Sequence, residues 1–308
     1  MPAPTHPTGY ATPAALWRAV CDRSKLEAKA AGIPNKLARQ FVYSRFLARV
    51  FASERERWMV KGGIAILARV RSARHSQDID FYLADGTLDT AVAELQAAAA
   101  RDLGDHLTFN LSGEPTRQVE RPGQPGSDLV TVRVDCYAGA KRIENFKVDV
   151  VINSVITQPA DVVVPPVAIT MPGIEPPICR VYPVVDHIAD KLCATLELHK
   201  GVPSSRVRDL ADLVVFARTH IVDAAALREA IHAEQIHRDL APIDQWSCPD
   251  TWAGGYPALA RDIPDCREHA TFPAAVALME QFFNPLLSGE LDDAHQWNPE
   301  RGEWIPSR

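Results

Sequence analysis

The sequence predicts an α+β protein in which a core built on a mixed sheet is followed by a C-terminal helical domain. Three observations carry that expectation. The first half of the 308-residue chain interleaves helical and strand periodicities, residues 158–177 break both with six prolines, and the pattern beyond is mainly helical. A boundary is expected in the proline-rich stretch, giving 1–175 as N-terminal helices plus core and 176–308 as a helical domain that completes the active-site cleft.

Taken in order, Ala-, Leu- and Arg-rich helices are expected at 14–31 and 36–53, with Gly32 ending the first and Pro34 opening the second. A short strand at 57–60 runs into Lys61-Gly62-Gly63 and a helical stretch at 64–70. A strand follows at 78–83, then a helix over 87–103 that Gly104 ends. Strands are expected at 106–111, 129–137 and 143–152, the second alternating Leu129, Thr131, Arg133 and Asp135 against Val130, Val132 and Val134. Gly and Pro turns make 113–128 read as a long hairpin loop. Later helices are expected at 183–200, 205–220, 223–237 and 273–287, with 245–267 irregular and a tail bearing Trp297 and Trp304. Residues 1–9, with three prolines, read as a disordered lead-in and not as a signal peptide.

Composition narrows the function classes. Hydrophobic residues make up 46% and charged residues 23%, the balance of a folded globular chain. No apolar run approaches the roughly 20 residues of a membrane helix, so a cytoplasmic protein with no membrane partner is expected. Six dispersed cysteines without a Cys-x-x-Cys pair read as reduced thiols, neither zinc ligands nor a redox pair. The net charge of −6 argues against a surface that is basic throughout, yet 36–74 holds ten basic residues against Glu54 and Glu56. That segment reads either as solvated helix faces or as a basic surface for a polyanion, with Arg45, Arg49 and Arg55 as contacts.

The sharpest chemical signal is Lys61-Gly62-Gly63 followed by Ser76-Gln77-Asp78-Ile79-Asp80. Alternate residues of a strand share a face, so Asp78 and Asp80 would present two carboxylates side by side. Such hard oxygen ligands suit Mg²⁺ shared with substrate phosphates. The Gly pair leaves room for backbone N–H groups to approach a triphosphate at a helix start. Asp149, set among Val148, Val150 and Val151, is a third acid where a strand would take an apolar residue, and a candidate general base toward an attacking hydroxyl. Farther on, Asp190-Lys191 precedes Arg206, and Ser205, Arg208, Asp209 and Asp212 would form one polar helix stripe. That stripe is either salt-bridged surface or, with Lys191 beside Ile188, Leu192 and Leu196, a wall of an interdomain cleft.

Together, Lys61-Gly62-Gly63, Arg74-x-Ser76-x-Asp78-Ile79-Asp80, Val148-Asp149-Val150, Asp190-Lys191 and Arg206-x-Arg208-Asp209-Leu210-x-Asp212-Leu213 resemble the AbiEii/MenT family of nucleotidyltransferase-fold toxins. The resemblance implies a DNA polymerase β-like nucleotidyltransferase core, two Mg²⁺ ions and transfer of a nucleoside monophosphate from NTP. For MenT-like members it implies modification of a tRNA 3′ acceptor end, which blocks translation, and relief by a cognate antitoxin. By position, Asp78, Asp80 and Asp149 would be the metal-binding acids, Gly62, Gly63, Ser76 and Lys191 nucleotide contacts, and Asp209 and Asp212 the acids of the final catalytic motif. The pattern departs at Ile64, where a hydroxyl residue is common, and at Ala211, where an aromatic often stands.

The expected reaction joins the α-phosphate of NTP to a hydroxyl, with a tRNA or other RNA as acceptor and no DNA. Rivals are the same chemistry on a protein hydroxyl or small molecule, which net acidity mildly favours, and an idle fold that only binds nucleotide or antitoxin. A metal nuclease on Glu144 and Lys147 would leave Gly62 and Gly63 without a task.

Overall fold

The structure is a computed structural model that describes residues 8–32, 35–52, 56–71, 73–119, 127–166, 169–199 and 201–307. Most of the expected lead-in, Pro34, Ser53, Glu54 and Arg55 lie outside the described residues, as does the centre of the expected 113–128 loop. Helix α1 (Pro13–Ala31) begins where the Thr12 hydroxyl accepts the Ala15 N–H and ends on Gly32 in the left-handed conformation. Helix α2 (Leu37–Val50) follows, then strand β1 (Trp58–Lys61) and the short helix α3 (Gly62–Leu67). Strand β2 (Ile79–Leu83) returns antiparallel to β1. Helix α4 (Leu88–Ala99) is opened by reciprocal hydrogen bonds between Thr87 and Thr90.

Three long strands, β3 (Leu107–Gln118), β4 (Asp128–Ala138) and β5 (Lys141–Ile152), form an antiparallel meander, and β5 pairs parallel with β2. β3 therefore extends past the strand expected at 106–111. A register shift between Ser112 and Thr116 lets it pass Gly113 and Pro115, so turn residues that suggested a loop mark an irregularity in a strand instead. Within the proline-rich stretch β6 (Asp161–Val163) forms an edge strand, where missing N–H groups nearby cost no interior ladder. Strand β7 (Cys179–Val181) joins β6 to β1, completing a seven-stranded mixed sheet in the order β3-β4-β5-β2-β1-β7-β6.

One face of this sheet is the core face. Phe109, Val130, Val132, Val134, Phe146, Val148 and Val150 point into a buried cluster with Leu16, Phe41, Phe46, Leu88 and Leu95 of α1, α2 and α4. The alternate positions point the other way. Thr108, Asn110, Arg133, Asn145 and Lys147 are exposed, and Asp149 is half-buried, so helices leave the second face of β3, β4 and β5 to solvent.

Beyond β7 come α5 (Val184–Leu196), a two-residue-strand hairpin of β8 (Leu198–His199) and β9 (Val202–Pro203), and α6 (Val207–Thr219). Strand β10 (Val222–Asp223) leads into α7 (Ala224–His237); α8 (Tyr256–Arg261) sits between 3₁₀ turns, and α9 (Phe272–Leu287) follows. The Trp-bearing tail is ordered as β11 (His295–Asn298) and β12 (Glu303–Pro306), pairing with β10. Trp297 and Trp304 fasten it, their ring N–H groups donating to Ala217 O at 2.6 Å and Phe282 O at 2.9 Å. These elements share a second apolar cluster, and α3 straddles the two, with Ile64 and Ala65 in the first and Ile66 in the second.

Arg45 and Arg49 of the basic segment 36–74 do not face a polyanion. Arg45 and Arg49 are buried and both clamp Asp105, with Nε of Arg45 at 2.7 Å and Nη2 of Arg49 at 2.7 Å. Arg49 also donates to the carbonyls of Arg101, Arg45 and Leu107. Arg39 pairs with Glu144, Arg57 with Glu94 and Arg69 with Asp161. These guanidiniums tie α2 and β1 to the sheet and helices around them. Reversing charge at Arg45 and Arg49 would leave like charges buried against Asp105, at a cost of about 3–5 kcal/mol or more for one lost partner. The expected outcome is loss of the folding transition in circular dichroism; a folded variant with weakened RNA binding would restore the surface reading.

Candidate functional site

The site gathers where β1 ends and β2 begins, on the open side of the sheet. Asp80 lies second on β2, opposite Lys61 on β1 and in direct register with Asp149 on β5. Two carboxylates from neighbouring parallel strands thus meet on one face. Asp78 precedes β2 in a bend, not in the strand as expected, and accepts a hydrogen bond from the Ser76 hydroxyl at 3.0 Å. Tyr43 on α2 donates to Gln77 O at 2.6 Å, pinning this segment to the N-terminal helices. Thr131 on β4 donates to Asp149 Oδ1 at 2.5 Å. Burial first, then Asp78 and Asp149, push the Asp80 carboxyl up to about 7, with Lys191 and Lys61 opposing.

Gly62 and Gly63 are required by close approach. Gly62 has φ +60°, and a Cβ there would overlap the Asp80 carboxylate, lying 2.6 Å from its Cγ. A Cβ on Gly63 would lie 2.9 Å from Ser76 Oγ and 3.4 Å from Arg74 Nη1. The Gly pair therefore packs α3 against the acid-bearing segment, a task that its sequence position alone did not reveal.

The helical elements contribute a buried ion network. Lys191 on α5 donates to Asp209 at 2.7 Å and Asp212 at 2.8 Å, both on α6. Arg74, from the loop before β2, forms a two-pronged bridge to Asp212 at 2.8 and 2.7 Å, and Arg206 lies 2.6 Å from Asp209. Asp209 and Asp212 are 4% and 1% exposed, so the predicted polar stripe is split: its two acids face inward while Ser205 and Arg208 stay exposed. The helix starts at Val207, not at Ser205. Although burial alone would raise it, Lys191 and Arg74 hold the Asp212 carboxyl down to about 2. Burial would lower Lys191, but Asp209 and Asp212 outweigh it and keep the ammonium charged. Two of its three N–H donors serve these acids, leaving one.

Lys191→Ala is therefore expected to act first on stability. Removing one member of a buried ionic cluster costs about 3–5 kcal/mol, a fall in melting temperature of roughly 10 °C for a chain of this size. Calorimetry checks this; a variant melting with the parent would show that the ammonium holds nothing together.

Every candidate residue falls in one of two neighbouring groups: Gly62, Gly63, Ser76, Asp78, Asp80 and Asp149 around the strand ends, and Lys191, Asp209 and Asp212 in the network. Arg74 joins them, since Asp80 and Asp212 both stabilise its charge. Sequence reasoning gave no role to Thr131 and counted Arg74 and Lys61 only among the basic residues of 36–74. Lys61 was visible beside the Gly pair; its ammonium lies 4.2 Å over the Tyr182 ring, near Asp80 and Asp190. Glu144 and Lys147 point to opposite faces of β5, Glu144 being held by Arg39 at 2.9 Å, so they cannot form a nuclease pair.

The donor set is all oxygen, and Asp80 shares its surroundings with two further carboxylates, a field that a hard cation would relieve. Among the described residues no three His, Cys, Asp or Glu side chains are gathered into a ready-made ion cage. Mg²⁺ is normally held by one or two carboxylates together with substrate phosphates, and Asp80 with Asp149 or Asp78 meets that requirement. No described helix is long and apolar enough to cross a membrane.

Residues 45–299 match the profile of a family described as the AbiEii nucleotidyl transferase toxin of type IV toxin–antitoxin systems. No curated protein sequence matches the chain. Among solved structures, JHP933 from Helicobacter pylori aligns at 15% identity over 84% of this chain and 96% of its own, with a TM-score of 0.47. A second H. pylori structure, described provisionally as a nucleotidyltransferase, aligns at 15% identity over 84% of this chain and 100% of its own, with a TM-score of 0.45.

Proposed function

We propose, because the chain belongs to the AbiEii nucleotidyl transferase toxin family, that it joins the α-phosphate of NTP to an RNA 3′ hydroxyl, the tRNA acceptor end above all, with release of pyrophosphate, and so arrests translation until a cognate antitoxin relieves it. The observation that supports this reading is the pairing of Asp80 with Asp149 across β2 and β5, with Gly62 packed too tightly on Asp80 to bear a side chain. Asp78, Asp80 and Asp149 would hold two Mg²⁺, which when bound would neutralise phosphate charge and favour the ionised acceptor hydroxyl. Ser76 orients Asp78, and Thr131 orients Asp149, so both carboxylates are fixed before substrate arrives. Asp149 would take the acceptor proton. Gly62 and Gly63 would admit the triphosphate to the backbone, and Lys191, with Lys61 facing the same acids, would carry cationic charge toward it. Asp209 and Asp212 would act by holding Lys191 and Arg74.

The two apolar clusters support a two-domain reading joined by α3 and the Arg74–Asp212 bridge, but Cys179 and Val181 of β7 belong to the sheet core, so the boundary lies beyond β7 and not at 175. Six unpaired cysteines fit a cytoplasmic enzyme. Incubation of the protein with Mg²⁺, total RNA and each α-labelled NTP in turn tests the proposal. Label in tRNA is the expected outcome; label only in protein or a small acceptor would shift the reading to that rival, and no transfer would remove it.

A further inference from the structure

The open face of the β3–β5 meander has a chemistry of its own. It begins at Asp149 and Thr131 and runs along the strands, away from the helical part, toward the β4–β5 turn. Next to that pair come Lys147 and Arg133, direct neighbours in the antiparallel register. Both are exposed, and no ion-pair partner is described for either. One step farther lies Asn145 opposite Asp135, and beyond it half-buried Tyr137. Asp135 is spoken for: Asn145 donates to it at 2.7 Å and Arg142 lies 3.5 Å away. Two residues of strand span about 7 Å, so the cation pair stands that far from Asp149 and the tyrosine about three times as far.

We propose that this face is the track on which a single-stranded RNA acceptor lies, with Arg133 and Lys147 on its phosphates and its terminal hydroxyl at Asp149. The inference rests on the nucleotidyltransferase reading and adds to it the surface that receives the acceptor. Its chemistry separates the classes of acceptor. A protein partner is anchored by exposed apolar or aromatic side chains at the centre of a patch. Of the large exposed hydrophobics, Leu26, Val162 and Ile236 lie elsewhere, and Val119 follows the end of β3. A small molecule is held in a concave pocket, whereas this is the broad face of a sheet. Unpaired cations, amide and hydroxyl groups and one aromatic ring on a flat sheet are what single-stranded nucleic acid requires: charge for its backbone, a ring for stacking and polar groups for base edges. The track also takes over the task that the buried Arg45 and Arg49 cannot perform.

The test is a fluorescence-anisotropy titration of a short single-stranded RNA oligonucleotide over a salt series, using full-length protein, Arg133→Gln/Lys147→Gln and the control Lys25→Gln/Lys29→Gln on exposed α1. Both pairs are solvent-exposed, so folding is unaffected by either change. The track pair should weaken RNA binding at least about tenfold at low salt. It should also flatten the log–log salt slope by about 1.4, twice the 0.7 lost per phosphate contact in single strands. In transfer assays it should raise the KM for RNA and leave the Kd for NTP, measured by calorimetry, as in the parent. The control pair should match the parent throughout. An unchanged slope and KM in the track pair would overturn the docking surface while parental labelling of RNA left the nucleotidyltransferase reading standing. Parental labelling of protein alone would overturn the docking surface and the RNA acceptor together.

Discussion

Replacing Asp80 with Asn should reduce nucleotidyl transfer at least about a thousandfold and, at the same time, make the metal-free protein more resistant to heat at pH 8. The first effect follows from position. Asp80 lies between Asp78 and Asp149, with Lys61 across from it, so its carboxylate is the one that every other group of the site faces. Loss of one metal-binding, charge-neutralising carboxylate removes several kcal/mol of transition-state stabilisation. The second effect follows from the Asp80 carboxyl being pushed up to about 7 from an ordinary value of 3.8. A carboxyl whose pKa is higher in the folded than in the unfolded state binds protons preferentially when folded. Stability then declines as pH rises from about 4 to about 7, and the penalty is complete above that window. Asn carries no charge, so the variant avoids the penalty, gaining about 1 kcal/mol or more. Melting curves at pH 4 and pH 8 should converge for parent and variant at the lower value and separate at the higher. An active Asp80→Asn protein would remove the metal-acid assignment, and a variant less stable at pH 8 would show that Asp80 is not crowded by like charge.

Gly62→Ala should be nearly as severe, by a different route. The added methyl meets two obstacles: a left-handed φ of +60°, costing roughly 1–2 kcal/mol for a residue with a Cβ, and the Asp80 carboxylate in the space it would occupy. Either α3 withdraws or Asp80 turns away, and both spoil the alignment on which transfer depends, since errors near 1 Å can cost about a hundredfold. We expect kcat/KM to fall about a hundredfold or more together with a lower melting temperature. A double-mutant cycle with Asp80→Ala isolates the cause. With the carboxylate gone, the Ala methyl should cost only its backbone strain; an undiminished cost in that background would place the obstruction elsewhere.

What the sequence made legible was what depends on short spacing. The alternation of β4 and β5 needed only the strand repeat, and the close spacing of Asp78 and Asp80 marked the acid pair even though Asp78 sits in a bend before β2. The register that sets Asp149 against Asp80 depends on strands some seventy residues apart and had to be taken from family resemblance. Charge counting misjudged the segment 36–74 because an arginine's exposure is decided by its partner. Asp105, which buries Arg45 and Arg49, lies more than fifty residues away in sequence. The stripe of Asp209 and Asp212 was undecided for the same reason: helical periodicity places the two acids on one face, but Lys191 and Arg74 determine that the face looks inward. The 113–128 region and the tail show a further limit, since Gly, Pro and isolated Trp signal irregularity without saying whether a strand continues through it.

The order in which the site's parts occur along the chain also has a consequence for the cell that makes it. Synthesis delivers Gly62, Asp78 and Asp80 first, Asp149 some seventy residues later, Lys191 some forty residues after that and Asp212 last. Strand β2 cannot take its place until β5 exists to flank it, and Arg74 has no counter-charge until α6 has formed. Contacts so distant in sequence close late and slowly. A nascent or prematurely terminated chain ending before α6 carries the acids without their scaffold. A chain cut short before α6 is therefore expected to show no transfer.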